Sequence, residues 1–283
     1  MTTVVRPTVA DLPDRDGVME QSQHENFTVA GVVLGRERRR HLLAIYGYAR
    51  LVDDVGDEAV GDRMALLDVV ETEIDRIYSG EPPRHPVMAA LAETVRACRL
   101  PQAPFRRLVE ANRSDQELKR YETFDQLLAY CQLSAAPVGE LVLGVFGAAT
   151  PARIALSDRI CAGLQIVEHL QDVAEDHARG RVYLPREDLV RFACDDADLA
   201  SDPVASCRAL IAFEAERAGA LLSSGAPLAR TLPARPRMAV AGFVAGGRRA
   251  LDDLLEPALS TQHRRAARRR RFAARFARAA MGR

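Results

Sequence analysis

Residues 46–58 read YGYARLVDDVGDE, and the spacing that matters within them is Asp53 to Asp57. Apolar residues around it, Leu42, Ile45, Tyr46, Ala49 and Val52, recur at steps of three and four, the period of a helix. Residues four apart on a helix lie one turn above each other, so Asp53 and Asp57 share a face. Like charges so placed cost the helix a few tenths of a kcal/mol. Residues 172–176, DVAED, repeat the spacing with Asp172 and Asp176, and Gln165 and Glu168 continue the same stripe upstream. A polar stripe on an otherwise apolar helix calls for a polar cavity. One such pair would suit a solvated acidic face; two, each in an apolar helix, point to a compensating cation. Carboxylates without neighbouring His or Cys ligands suit a hard ion such as Mg2+, which keeps several waters and takes phosphate oxygens.

Outward from these motifs the chain reads as helix throughout. Met64–Tyr78 ends at Gly80 and Pro82-Pro83, Val87–Cys98 follows, and Phe105–Leu118 opens after Pro104. Phe124–Ala148 is long and apolar but interrupted at Pro137 and Gly139. Ile154–Ala178 stops before Gly180, Arg181–Pro185 is a short extended piece, and Pro203–Ser223 and Arg235–Leu255 complete the set. There is no alternating strand pattern and no tandem repeat. The expected architecture is all-α: one domain of about eight helices over 21–258, a loose leader over 1–20, and a basic tail over 259–283.

Composition narrows the classes. Hydrophobic residues are 48% and charged residues 28% of 283, which suits a folded globular chain, and the absence of Trp leaves an aliphatic core. Formal net charge is zero, yet nine arginines and no acid follow Glu256, so the body carries 0 − 9 = −9. That charge opposes specific nucleic-acid binding. The five cysteines are scattered without a CxxC pair and fit a reduced, cytoplasmic compartment. No signal pattern opens the chain, and no apolar run is read as reaching the roughly 20 residues of a membrane span. In the tail, Phe272 and Phe276 form a narrow apolar strip among arginines, which suggests a peripheral helix on an anionic membrane.

Three blocks, in order, resemble the squalene/phytoene synthase family of head-to-head prenyl synthases. They are Tyr46-x-x-x-Arg50-x-x-Asp53-x-x-x-Asp57; residues 130–139, YCQLSAAPVG; and Gly163-Leu164-Gln165 through Asp172-Val173-x-x-Asp176 with residues 180–185, GRVYLP. The resemblance runs from about Glu25 to Glu256. It implies an isoprenoid synthase helical bundle with a central cavity, in which two aspartate-rich helices face each other. Residues 25–27 (ENF) and the proline at 137 resemble the hydroxysqualene synthase branch of hopanoid pathways. That branch implies presqualene diphosphate as substrate, hydroxysqualene as product, magnesium as cofactor and no NADPH. Two positions depart from the pattern: Glu168 stands where the family carries Asn, and Glu140 where this branch often carries Arg.

The expected metal set is Asp53, Asp54, Asp57, Glu168, Asp172 and Asp176, neutralising a diphosphate as its C–O bond breaks. Arg50 and Arg181, with Lys119 and Arg120, are candidate phosphate partners, since guanidinium groups bind phosphate bidentately. Tyr46 and Val138 are further substrate-binding candidates. Tyr130, Tyr183 and Gln165 are the catalytic candidates, the tyrosines for cation stabilisation through a ring face and Gln165 for orienting water or substrate. His24, His41 and His169 lack metal-ligand spacing and read as incidental, though His169 stands close to the site. Alternatives within the fold are presqualene diphosphate, dehydrosqualene or phytoene synthesis. A noncatalytic assembly protein of the same family, in contact with a pathway enzyme, is another; it would not need both acidic pairs.

Overall fold

A computed structural model of the chain describes residues 7–14, 17–18, 35–200 and 207–255. Those residues are overwhelmingly helical; among them no strand forms, only an isolated parallel bridge between Arg120 and Val182. They fall into two compact parts, one drawn from 1–117 and 137–149, the other from 118–136 and 150–283.

The first part begins with a 3-10 turn, Val9–Asp11, whose Asp11 carboxylate accepts from the Thr8 N–H at 2.7 Å and from its hydroxyl at 2.9 Å. Among the described residues of the leader, Leu12 and Val18 are buried, and the His85 Nε2 lies 3.0 Å from the Pro13 carbonyl. Helices α1 (Arg36–Asp57), α2 (Arg63–Ser79), α3 (Pro86–Cys98) and α4 (Ala103–Glu117) follow. The predicted periodicity sets the packing. Leu42, Ile45, Leu51, Val52 and Val55 of α1 are buried, as are Leu66, Leu67, Val70 and Ile74 of α2, Met88 and Leu91 of α3, and Phe105, Leu108 and Val109 of α4. Each such side chain contributes roughly 1.5–3 kcal/mol through burial. Local signals fix the ends: Asp62 caps α2 by accepting from the Ala65 N–H at 3.0 Å, and Gly80 ends it at φ 85°.

The apolar run from Phe124 divides into α5 (Phe124–Ser134) and α6 (Ala136–Val145), broken at Ala135 just before Pro137. By length and composition the stretch Phe124–Val145 is apolar enough to cross a membrane, contrary to the expectation from its sequence. The stretch is broken at Ala135, and Leu127, Tyr130, Cys131, Leu141 and Leu143 within it are buried.

In the second part, α7 (Pro151–Gln171) opens on Thr150, whose hydroxyl accepts from the Arg153 N–H, with Pro151 in the first turn. The expected helix to Ala178 is not continuous. It breaks at Asp172 (φ −105°, ψ 15°) and resumes as α8 (Val173–Ala178). Three carboxylates within five residues, Asp172, Glu175 and Asp176, repel one another at this point. Short helices α9 (Arg186–Arg191) and α10 (Asp196–Ala200), unforeseen in the sequence, precede α11 (Arg208–Gly225), α12 (Leu228–Thr231) and α13 (Ala234–Leu255). Helices α7 and α11 approach through glycine: a Cβ at Gly225 would lie 2.7 Å from the Leu156 carbonyl, and one at Gly163 3.1 Å from that of Ala218. The tail over 259–283 and residues 24–27 lie outside the described residues.

Candidate active site

Helix α1 carries the first acidic motif. Asp53 is solvent-accessible and its Oδ1 accepts from the Asn112 amide of α4 at 3.1 Å. Desolvation by the protein crowded around it pushes its carboxyl up to about 7; the Asn112 hydrogen bond and Arg50 oppose this, while Asp57 and Asp54 add to it. Water on the open side moderates the shift and leaves its direction upward. Asp57, one turn on, is half-buried. Asp54 turns elsewhere: it is buried and pairs with the Arg50 Nε at 2.7 Å, and burial raises its carboxyl while Arg50 lowers it. Arg50 also reaches Glu58 at 3.4 Å. Burial works against its charge, but Asp54 and Asp53 outweigh that and raise its pKa. Tyr46 is buried on the same helix.

Helices α7 and α8 carry the second motif. The Asp176 N–H still donates to the Asp172 carbonyl at 2.8 Å, so the one-turn relation of the two aspartates survives the break. Desolvation, then Asp176 and Glu175, raise the Asp172 carboxyl, while His169 and Arg179 lower it. Beside this motif stands a cluster of rings. The His169 imidazole stacks on Tyr183 at 3.7 Å and 10°, and Tyr130 lies 5.6 Å and Tyr121 5.8 Å from Tyr183. The His169 Nδ1 is 3.7 Å from Asp176 Oδ2, and its Nε2 is 3.2 Å from the Gln165 side-chain nitrogen. His169 is thus the residue that joins the catalytic candidates Tyr130, Tyr183 and Gln165 to the acidic motif. The absence of metal spacing hid it; its place four residues after Gln165 on the same face was the available signal. Glu168 is exposed on α7.

The phosphate candidates Lys119, Arg120 and Arg181 come together through backbone pairing. Gly180, at φ 79°, ends α8, after which the Val182 N–H donates to the Lys119 carbonyl at 2.8 Å and the Arg186 N–H to that of Tyr121 at 2.9 Å. Arg120 is already committed, forming a bidentate pair with Asp196 at 2.9 and 2.7 Å. Val138 is half-buried on α6. Glu140, one of the departures, pairs with Arg107 of α4. A groove of about 620 Å³ between α1 and α3, lined by Arg36, Arg39, Arg40, Leu43, Gly47 and Glu93, holds no residue of either aspartate motif.

Among the described residues, no three His, Cys, Asp or Glu side chains converge as a complete metal site. The donor set still fits magnesium. That ion uses one or two carboxylates and fills the rest with water and phosphate, and each motif holds a carboxyl driven upward partly by its own carboxylate neighbours, a conflict that a divalent cation relieves.

The family model described as Squalene/phytoene synthase matches residues 21–271. The phytoene synthase of Mycobacterium tuberculosis is 34% identical over 206 residues, 71% of this chain and 67% of the relative. The hydroxysqualene synthase of Rhodopseudomonas palustris is 36% identical over 211 residues, 72% and 70% of the two chains. The crystal structure of squalene synthase HpnC from Alicyclobacillus acidocaldarius superposes with a TM-score of 0.76 at 39% identity, covering 87% of this chain and 96% of the other.

Proposed function

We propose, from the premise that this chain belongs to the squalene/phytoene synthase family of enzymes acting on prenyl diphosphates, that it converts presqualene diphosphate to hydroxysqualene. The observation that carries this reading is the wall of rings, Tyr130, Tyr183, Tyr121 and His169, built against the second acidic motif with the Gln165–His169 polar pair set into it. Ring faces stabilise positive charge, and a polar pair among them suits a bound water. Residues 25–27 and Pro137, and the likeness to the Rhodopseudomonas hydroxysqualene synthase, support the water-capturing branch.

Asp53 and Asp57 of the first motif, and Asp172 and Asp176 of the second, are the residues that would hold magnesium, which would supply Lewis-acid neutralisation of the leaving diphosphate. The C–O bond breaks with its electron pair leaving on the diphosphate, and Arg50 and Arg181 offer charge-assisted hydrogen bonds to it. The tyrosine rings hold the cyclopropylcarbinyl cation through its rearrangement. Gln165 orients the water whose oxygen forms the new C–O bond and whose proton is then lost. No electron donor is required, so NADPH has no part. A basic tail over 259–283 resting on an anionic membrane would suit lipid substrate and product, and vesicle binding by the full chain against a chain truncated at 258 tests it.

The experiment is incubation of the purified chain with Mg2+ and presqualene, farnesyl or geranylgeranyl diphosphate separately, with products resolved by mass. Hydroxysqualene from the first supports the proposal. Presqualene diphosphate made from farnesyl diphosphate with nothing beyond it overturns the proposal. Phytoene from the third substrate would favour the second reading, which the 34% identity to the mycobacterial phytoene synthase supports.

A further inference from the structure

Asn112 sits at the back of the first acidic motif, and the chain makes room for it in an unusual way. Its side chain is buried on α4 at 6% exposure. Its amide donates to Asp53 Oδ1 at 3.1 Å and to the Leu108 carbonyl at 3.3 Å. The other end of the side chain fills the space over Gly56 of α1: a Cβ there would stand 2.0 Å from Asn112 Oδ1 and 2.9 Å from its Cγ. One turn along the same face, the Gln116 amide donates to the backbone carbonyls of Gly56 at 2.9 Å and Asn112 at 3.0 Å. Gly56 has an ordinary helical backbone and is absent from the positive-φ residues. The constraint on it is therefore the notch it leaves, not its conformational freedom.

We propose that Asn112, seated in the notch left by Gly56 and backed by Gln116, is a positioning residue that fixes the Asp53 carboxylate for a divalent cation. The inference rests on the reading of Asp53 as a magnesium ligand. A buried amide hydrogen-bonded through its nitrogen and packed at its oxygen restricts the rotation of the carboxylate it bonds, and partners of this kind orient metal ligands from behind. It also explains why a small residue occupies position 56 in a helix whose neighbouring positions are filled.

The test is Mn2+ titration of the full chain, followed by loss of the free-ion paramagnetic resonance signal, together with thermal melting. Asp53→Asn, Asn112→Ala, Gly56→Ala and the double variant Gly56→Ala/Asn112→Ala are compared with the native chain. Asp53→Asn should abolish one Mn2+ site. At that site Asn112→Ala should weaken Mn2+ about tenfold, the lower end of what orienting partners contribute. Gly56→Ala should lose both Mn2+ affinity and melting temperature, because the methyl group evicts Asn112. In the double variant the methyl fills the vacated space, so melting should return toward the native value while Mn2+ affinity stays about tenfold low. That separation is what a merely structural role would not produce. Native Mn2+ affinity in Asn112→Ala, or its recovery in the double variant, overturns the proposal while the metal assignment stands. Native Mn2+ binding in Asp53→Asn removes the assignment itself, and the positioning role with it.

Discussion

Glu214 of α11 offers a direct test of the buried electrostatics. Glu214 and Asp188 are 1% and 2% exposed, and one guanidinium serves both: Arg217 lies 3.0 Å from Glu214 Oε1 and 2.6 Å from Asp188 Oδ2. That guanidinium is itself stacked between Phe124 at 4.3 Å and Phe213 at 4.2 Å. One cation cannot neutralise two desolvated carboxylates. Burial drives the Glu214 carboxyl upward, Arg217 pulls it back, and the facing Asp188 drives it up again. The folded state therefore keeps a proton on Glu214 at pH values where the unfolded chain, near its ordinary 4.5, has lost it. The sign follows: this group's contribution is complete below the unfolded value and is lost as pH rises through the raised folded one. Each pH unit inside that window lowers stability by up to about 1.4 kcal/mol. Glu214→Gln keeps the volume and a donor toward Asp188 but carries no ionisable proton. Between pH 5.5 and 7.5 the variant should gain up to about 3 kcal/mol relative to the native chain. At about 2 °C or more per kcal/mol, that is a rise of roughly 5 °C in relative melting temperature. Thermal melts of both proteins in matched buffers across that range measure it, and the difference cancels the titrating groups that do not interact with Glu214. A difference that is flat with pH, or one that falls as pH rises, refutes the reasoning.

Three further outcomes are expected. Asp53→Ala and Asp172→Ala should each cut turnover of the active prenyl diphosphate by about a hundredfold or more while melting is unchanged or raised, because each removes a carboxyl held against its neighbours; steady-state rates and melts on the same samples decide it. Gly225→Ala should destabilise the chain by about 1–3 kcal/mol, since its Cβ would stand 2.7 Å from the Leu156 carbonyl, and urea unfolding would show a lower midpoint at unchanged slope. His169→Phe keeps a ring against Tyr183 but removes the partner of Gln165; turnover should fall by up to about tenfold with little change in melting, and product analysis would show whether water capture suffers first.

What the sequence made legible was periodic. Helices α2 to α4 lie within a few residues of their predicted spans because apolar spacing and end signals, Gly80 and Pro104 among them, are local, whereas α1 starts at Arg36, ahead of the periodic run read from Leu42. The pairing of Lys119 with Val182, which gathers Lys119, Arg120 and Arg181, was not legible, because backbone pairing between distant segments leaves no period; only the extended piece at 181–185 was visible. The commitment of Asp54 to Arg50 illustrates a different limit. Both residues stand in the motif, and spacing alone places Asp54 beside Asp53 without saying which way its carboxylate turns. The same limit hid the polar residues behind the motifs. Asn112 and His169 sit on helical stripes whose other members are apolar or already assigned, and a period classifies a face without saying what it meets. Here Asn112 meets Asp53 across a missing methyl group, and His169 meets Tyr183 and Asp176 together. The aspartates announce themselves because ligation repeats a charge at fixed steps. The residues that orient them are set one at a time by the shape of the neighbouring helix, so Gly56 and Asn112 carry meaning only as a pair.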